Sequence, residues 1–408
     1  MSRLKPHPLI AIFFIVFVDI LAFTLVLPYL PFFAERFGAS PTQVGLILTS
    51  FSLCQFLAGP VLGCMSDQMG RKPILILSQI GTCLGFVILA LSRNLWMVYL
   101  ARVLDGITAG NLTVAQAAIS DVTKPTERAK AFSLIGVSFG LGFFVGPAIS
   151  AFLSHFGPQA PAWGAAFISF CSILSTVFLF KDSEDIHKDK KPFHISRHDL
   201  ARALDFKPIA RYLAHPKLKP LLSQFFIFNV SFSAHISCFA LFAERELKWK
   251  GVPFGPKEVG YLYAYLGFVG IAIRSWLIGA LIRRFGERGT SRIGFLAQGL
   301  GFGAYAFVSS IPGALLASTI SSVGSGLIRP SLASRMSHAI SPKEQGALFG
   351  VSQSLASIAS ILAPAIAGLL IAHTSVRVWA VFAGGSMLLA FVFRDPRELA
   401  APTRETRS

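Results

Sequence analysis

Asp19, Arg102 and Asp105 sit in the apolar runs FVDILAFTLVLP and VYLARVLDGIT. An ionisable group inside hydrocarbon costs about 2.5–3.5 kcal/mol on insertion scales, so each marks function by default. Exclusion of water favours a protonated carboxyl, whereas a nearby arginine favours the carboxylate. Arg102 precedes Asp105 by three positions, which places both on one face of a helix. Movement of Arg102 relative to Asp19 or Asp105 would therefore load and release a proton. The alternative is a static ion pair tying two helices together, and the residue pattern is compatible with both.

A second group is uncharged or basic. Gln55, Asn111, Gln116, Asn229 and Gln298 lie in apolar runs, where amides either line a cavity or join helices by hydrogen bonds. The second half of the chain has no acid in its apolar runs, only His235, Arg274 and Arg329. His235 could titrate near neutral pH or serve as a hydrogen-bonded interior residue. Arg274 lies deep in its run. Arg329 is nearer the end of its own and reads as a snorkelling side chain. Basic groups in one half facing acids in the other would suit an anionic or zwitterionic ligand.

Stepping from these residues to what carries them, 53% of the 408 residues are hydrophobic and only 14% charged, with a mean hydropathy of +0.62. A soluble domain has roughly a quarter of its residues charged. The net charge of +17 could suggest a nucleic-acid partner, but placement excludes it. The basic residues cluster between apolar runs of about 20 residues, each long enough to cross ~30 Å of hydrocarbon as a helix. Cys54, Cys64, Cys83, Cys171 and Cys238 lie within or at the ends of these runs without a CxxC, so they read as small hydrophobes. The N-terminal run is too long for a signal peptide, contains Asp19 and lacks a small-residue cleavage site, so it reads as the first span.

The pattern predicts an all-α membrane protein with twelve spans at about 9–33, 42–64, 73–92, 95–119, 130–154, 160–181, 218–243, 257–281, 290–309, 312–334, 345–372 and 376–394. Placing both termini in the cytoplasm puts most of the 37 Lys and Arg on that side. Residues 1–181 then form one six-helix bundle and 218–394 a second. Residues 182–217 form a basic cytoplasmic linker suited to anionic lipid headgroups, and 395–408 a cytoplasmic tail. The halves repeat: Gly63-x6-Gly70 recurs as Gly279-x6-Gly286, Glu127 as Glu344, and Pro147 as Pro364, at spacings of 216, 217 and 217 residues. Duplicated halves with a site between them allow rocking between two open states.

The loop after the second run reads GCMSDQMGRKP. Gly63 allows close helix approach, Gly70 permits a tight turn, Asp67 can face a helix start, and Arg71 and Lys72 mark the cytoplasmic side. The whole loop resembles the signature GxLaDrxGRkxxl of the major facilitator superfamily, departing at Gln68. ARVLDGITAGNLTVAQAAISDVTKPTERAKAF resembles the fourth span and following loop of tetracycline-type proton antiporters, and FVDILAFTLVLPYLP resembles the first span of the same group and also of animal tetracycline-transporter-like proteins. FGLGFFVGPAIS resembles the fifth-span antiporter signature, departing at Ser150 and Ala151.

The resemblance implies the major facilitator fold, and Arg102 matches the family's fourth-span arginine, which adds to the proton-coupling reading of Asp19, Arg102 and Asp105. It implies that Asp121 and Arg128 join Gly63, Asp67, Gly70, Arg71 and Lys72 in a cytoplasmic gate. It also implies that Gly136, Gly140, Gly142, Gly146 and Pro147 pack a helix that seals the halves against proton leak, where the residues alone show only GxxxG-type close packing.

There is no Walker sequence, metal-ligand cluster or catalytic constellation, so the expectation is a non-enzymatic protein without cofactors, driven by a gradient. The leading expectation is a proton-coupled antiporter that exports small amphipathic organic compounds or drugs across a bacterial inner membrane. An uptake carrier or facilitator for an organic anion, built on Arg274 and His235, is the alternative, and a non-transporting membrane sensor is a third.

Overall fold

The computed structural model describes residues 8–123, 128–180, 207–341 and 344–392. The side chains of Arg128 and Arg274, Glu127, the linker up to residue 206 and the tail lie outside the described residues.

The first half contains α1 (Pro8–Val26), α2 (Leu30–Glu35), α3 (Pro41–Met69), α4 (Arg71–Ala90), α5 (Leu95–Thr108), α6 (Asn111–Val122), α7 (Arg128–Leu153) and α8 (Ala160–Leu179). A short helix, α9 (Lys207–Ala214), lies at the end of the expected linker. The second half contains α10 (Lys219–Glu246), α11 (Pro256–Ala272), α12 (Ile278–Ala304), α13 (Ile311–His338), α14 (Gln345–His373) and α15 (Val376–Val392). A π-helical stretch, Ile273–Leu277, joins α11 to α12, and a small hairpin pairs Lys248–Trp249 with Val252–Pro253. Among the described residues, seven helices are long and apolar enough to cross a membrane.

Local chemistry explains the helix starts. Ser40 and Gln43 form a reciprocal capping box before Pro41, with bonds of 2.8 and 3.3 Å. Asn94 caps α5 by accepting from the Met97 N–H at 3.0 Å. The two copies of the loop signature turn at glycines: Gly70, between α3 and α4, has φ +98° and Gly286, at a kink within α12, φ +66°. Two expected single helices are interrupted. The first run breaks between Val26 and Leu30, and the fourth breaks at Ala109–Gly110 (Ala109 ψ 56°), so that Asn111 starts a new helix. The break packs tightly, because a Cβ on Gly110 would lie 2.6 Å from Leu62 and one on Gly106 would lie 2.6 Å from the Phe51 carbonyl.

The halves meet along two seams, α3 against α14 and α7 against α11. The seams are built alike. A Cβ on Gly45 would sit 2.3 Å from the carbonyl oxygen of Pro364, and one on Gly260 would sit 2.8 Å from that of Pro147. Gly45 and Gly260 are 215 residues apart and Pro147 and Pro364 are 217 apart, so the contacts are copies of one another. Proline at 147 cannot donate to the Phe143 carbonyl, and that oxygen lies against Gly267 (2.6 Å to a Cβ built there). In the other seam, Thr49 Oγ1 donates to the Ile361 carbonyl at 2.9 Å. The sequence FAER, at 33–36 and again at 242–245, adds a bridge: Arg245 Nη2 donates to Glu35 Oε1 at 3.0 Å across the halves.

The Gly45, Thr49, Gly260 and Glu35–Arg245 contacts lie toward the end where α3 and α11 begin. At the opposite ends of α7 and α14, a Cβ on Gly136 or Gly350 would meet nothing within 4 Å.

Candidate functional site

Apart from the α3–α14 and α7–α11 seams, the contacts of α1, α5 and α6 fall within the first half and those of α10 and α13 largely within the second. The acids of the first half lie within their own bundle. Asp19 on α1 accepts a hydrogen bond from Ser172 Oγ of α8 at 2.8 Å, and Ser172 in turn accepts from Gln79 Nε2 of α4 at 2.8 Å. Gln79 and Asn111 flank the carboxyl group. Asp19 Oδ2, Gln79 Oε1 and Asn111 Oδ1 are all buried without a hydrogen-bond partner. Unpaired buried acceptors are uncommon, and here three belong to adjoining side chains.

The expected trio divides. Arg102 Nη1 pairs with Asp105 Oδ2 at 3.0 Å on one face of α5, and among the described residues no ion pair includes Asp19. Arg102 and Asp105 are 2% and 3% exposed, and the guanidinium lies between the rings of Phe51 (6.0 Å) and Phe86 (5.2 Å). Two flanking aromatic faces help hold a cation away from water.

At the end of α3, Arg71 gathers Asp67 and Asp121, two of the residues expected in a gate. Its Nε reaches Asp121 Oδ2 at 2.8 Å, and its Nη1 donates to Ser66 Oγ at 2.7 Å and to Asp67 Oδ1. Lys72 Nζ donates to the Val177 carbonyl at 2.7 Å, linking the same turn to α8. A Cβ on Gly63 would lie 3.6 Å from Thr113. In the repeat, Glu287 occupies the position after Gly286 that Arg71 holds after Gly70, and it accepts from Ser334 Oγ. The charge is reversed between the copies.

The glycine–proline motif of α7 serves two partners. A Cβ on Gly142 would strike Ile20 at 2.6 Å and one on Gly146 would strike Thr24 at 2.1 Å, so these pack α7 on α1 within one half. Thr24 Oγ1 also donates to the Gly142 carbonyl at 2.8 Å. Contact with the other half falls to Pro147 and the turn before it. Gly140 is half-buried on the same helix.

The expected cavity residues scatter. Gln55, Asn111, Gln116 and Asn229 are half-buried, Asn229 donating to the Phe225 carbonyl at 2.7 Å. His235 lies inside the second bundle, stacked on Phe302 at 4.1 Å and on Trp379 at 5.3 Å, with neither ring nitrogen hydrogen-bonded. Gln298 is fully buried where α12 crosses α13, beneath Gly324. Those two residues are packed within the second half. Ser172, Gln79, Ser66, Glu35 and Arg245 were not expected from sequence. The FAER repeat was the available signal for the last two.

Duplicated helical halves, sealed at one end along matched seams and carrying charges inside the bundle, define a secondary carrier. A family model described as Major Facilitator Superfamily matches residues 12–353 and 276–408, and the chain belongs to that superfamily. It is 30% identical over 374 residues to the tetracycline resistance protein, class B, of Escherichia coli, covering 90% of this chain and 88% of that one. It is 25% identical to multidrug resistance protein 2 of Bacillus subtilis (strain 168), covering 95% of each. The crystal structure of the human organic anion transporter MFSD10 (TETRAN) superposes with a TM-score of 0.71 at 22% identity, covering 96% of this chain and 100% of that chain, which shows a shared fold. The protein is a multi-pass integral membrane transporter.

Proposed function

We propose that this transporter is a proton-coupled antiporter that exports small amphipathic organic compounds from the cytoplasm. Its frame would be twelve spans with both termini cytoplasmic, bundles at 1–181 and 218–394, and a basic linker at 182–217 against anionic lipid. A bacterial inner membrane suits this reading, as do relatives named for tetracycline and multidrug resistance.

The observation that carries the proposal is Asp19. Its carboxyl lies inside a membrane-embedded bundle with one oxygen held by Ser172 and the other buried and unpaired. A proton on Oδ2 would remove the charge and find acceptors on Gln79 and Asn111, both of which have an unpaired oxygen. Asn111 opens α6 directly after the helix break, so protonation and the angle between α5 and α6 would be linked. Asp105, paired with Arg102, would be the second coupled group. With the Pro41/Pro256 end sealed, the structure suits the state open to the cytoplasm. Arg71, Asp67 and Asp121, paired in this structure, would exchange these contacts as the halves rock, and partly exposed pairs suit that exchange because each is worth little.

The uptake-carrier alternative is weakened by the placement of His235 within the aromatic core. The test is tetracycline accumulation in proteoliposomes under an imposed pH gradient. Asp19→Asn should abolish uphill movement while leaving downhill exchange. If Asp19→Asn and Asp105→Asn both retain uphill movement, the proposal fails.

A further inference from the structure

The two copies of FAER bring their glutamates together. Glu35 ends α2 and Glu244 lies in the last turn of α10, and their carboxyl groups are within hydrogen-bonding reach of one another across the halves. Both side chains are half-buried. Beneath them Phe33, Ala34, Ala243 and Leu247 belong to one apolar core shared by the halves. Arg245, the next residue along α10, donates from Nη2 to Glu35 Oε1 at 3.0 Å.

Two carboxylates so placed repel, and one guanidinium offsets only one of them. A hydrogen bond between two carboxyl groups needs a proton on one of them, because an ionised carboxylate only accepts. A single proton makes the trio neutral, with Glu35 accepting from both Arg245 and Glu244. The charges that act on Glu244 come from these two partners. At the same end, Arg377 of α15 is paired with Glu246 at 2.8 Å, and Glu258 caps α11 through the Gly255 N–H at 3.0 Å, beside Lys257. Arg36 after α2, Lys248 and Lys250 in the hairpin and His373 at the end of α14 are exposed.

When the halves part at this end, Glu244 loses its partner on α2 and becomes an ordinary carboxylate in water, ionised at neutral pH. The shut arrangement therefore binds one proton more than the parted one. We propose that Glu35 and Glu244 form a proton-binding site that exists only while this end is shut, so that acid in the adjoining solution holds the end closed and alkali releases it. The proton comes from that solution and returns to it, so the site biases the cycle without carrying charge across the membrane. This rests on the transporter reading of two rocking halves but not on Asp19 or on the compound carried.

The test is the distance between the halves at this end, measured by double electron–electron resonance on the full-length chain in detergent. Spin labels go on Arg93→Cys and Lys248→Cys, exposed positions of the two halves, with the native cysteines replaced by alanine. Because one proton is linked, the ratio of shut to open molecules should fall by up to about tenfold per pH unit between about pH 5.5 and about pH 8.5. Glu244→Gln, whose amide can donate to Glu35 at any pH, should stay shut throughout, and Glu35→Gln should also lose the response. Asp19→Asn should keep it. The proposal is overturned if the ratio in the otherwise unchanged chain does not vary with pH, if Glu244→Gln still responds, or if Asp19→Asn abolishes the response. Uphill transport retained in both Asp19→Asn and Asp105→Asn would sink the antiport reading and leave this site standing.

Discussion

Gly260 lies against the carbonyl of Pro147 across the two halves of this transporter, and Gly45 lies against the carbonyl of Pro364 in the matching seam. A side chain at either glycine has no room unless the helices separate. Gly260→Val should therefore weaken the closed end, by about 1–3 kcal/mol if it behaves as overpacking elsewhere does. Cysteines placed at Glu35 and Arg245, which bridge that end, should cross-link more slowly in the Gly260→Val background. Unchanged cross-linking would mean that this contact does not hold the end shut.

The Arg102–Asp105 pair admits a separation of structural from coupling roles. Removing Arg102 alone leaves a buried carboxylate uncompensated, which costs about 3–5 kcal/mol in comparable sites. Arg102→Leu should thus lower thermal stability sharply, and the double variant Arg102→Leu/Asp105→Leu should recover most of it. If the recovered double variant also transports uphill, the pair is a brace between helices and has no part in coupling.

Arg71 bonds three oxygens on two elements, a geometry that a lysine ammonium does not reproduce. Arg71→Lys should leave stability nearly unchanged but slow transport severalfold. Exchanging the charges as Arg71→Asp/Asp121→Arg should restore part of the rate. Transport rates in proteoliposomes at saturating substrate would decide it, and a wild-type rate for Arg71→Lys would remove the latch from the cycle.

His235→Phe is expected to be silent. The imidazole has stacking partners but no hydrogen bonds, so an aromatic ring of similar shape should cost under about 1 kcal/mol and leave transport intact. Thermal melting and uptake measured on the same preparation would check both. Loss of transport without loss of stability would return His235 to the substrate path.

The sequence by itself determined the membrane class and the predominantly helical fold, because length and apolarity of a run are local properties set by the thickness of the hydrocarbon. It also marked Asp19, Arg102, Asp105 and Arg71, since a charge in an apolar run is conspicuous without any partner. It did not determine who pairs with whom. Arg102 and Asp105 were legible as neighbours because helical spacing is local, but the attachment of Asp19 to Ser172 joins residues 153 positions apart. It left the amides ambiguous for the same reason: Gln298 and Gln79 have the same chemistry, and only packing shows that one is buried between α12 and α13 while the other bonds Ser172. The neighbours of Arg329 were likewise beyond reach, and tertiary structure decided them by placing its guanidinium 4.9 Å from the ring of Phe232.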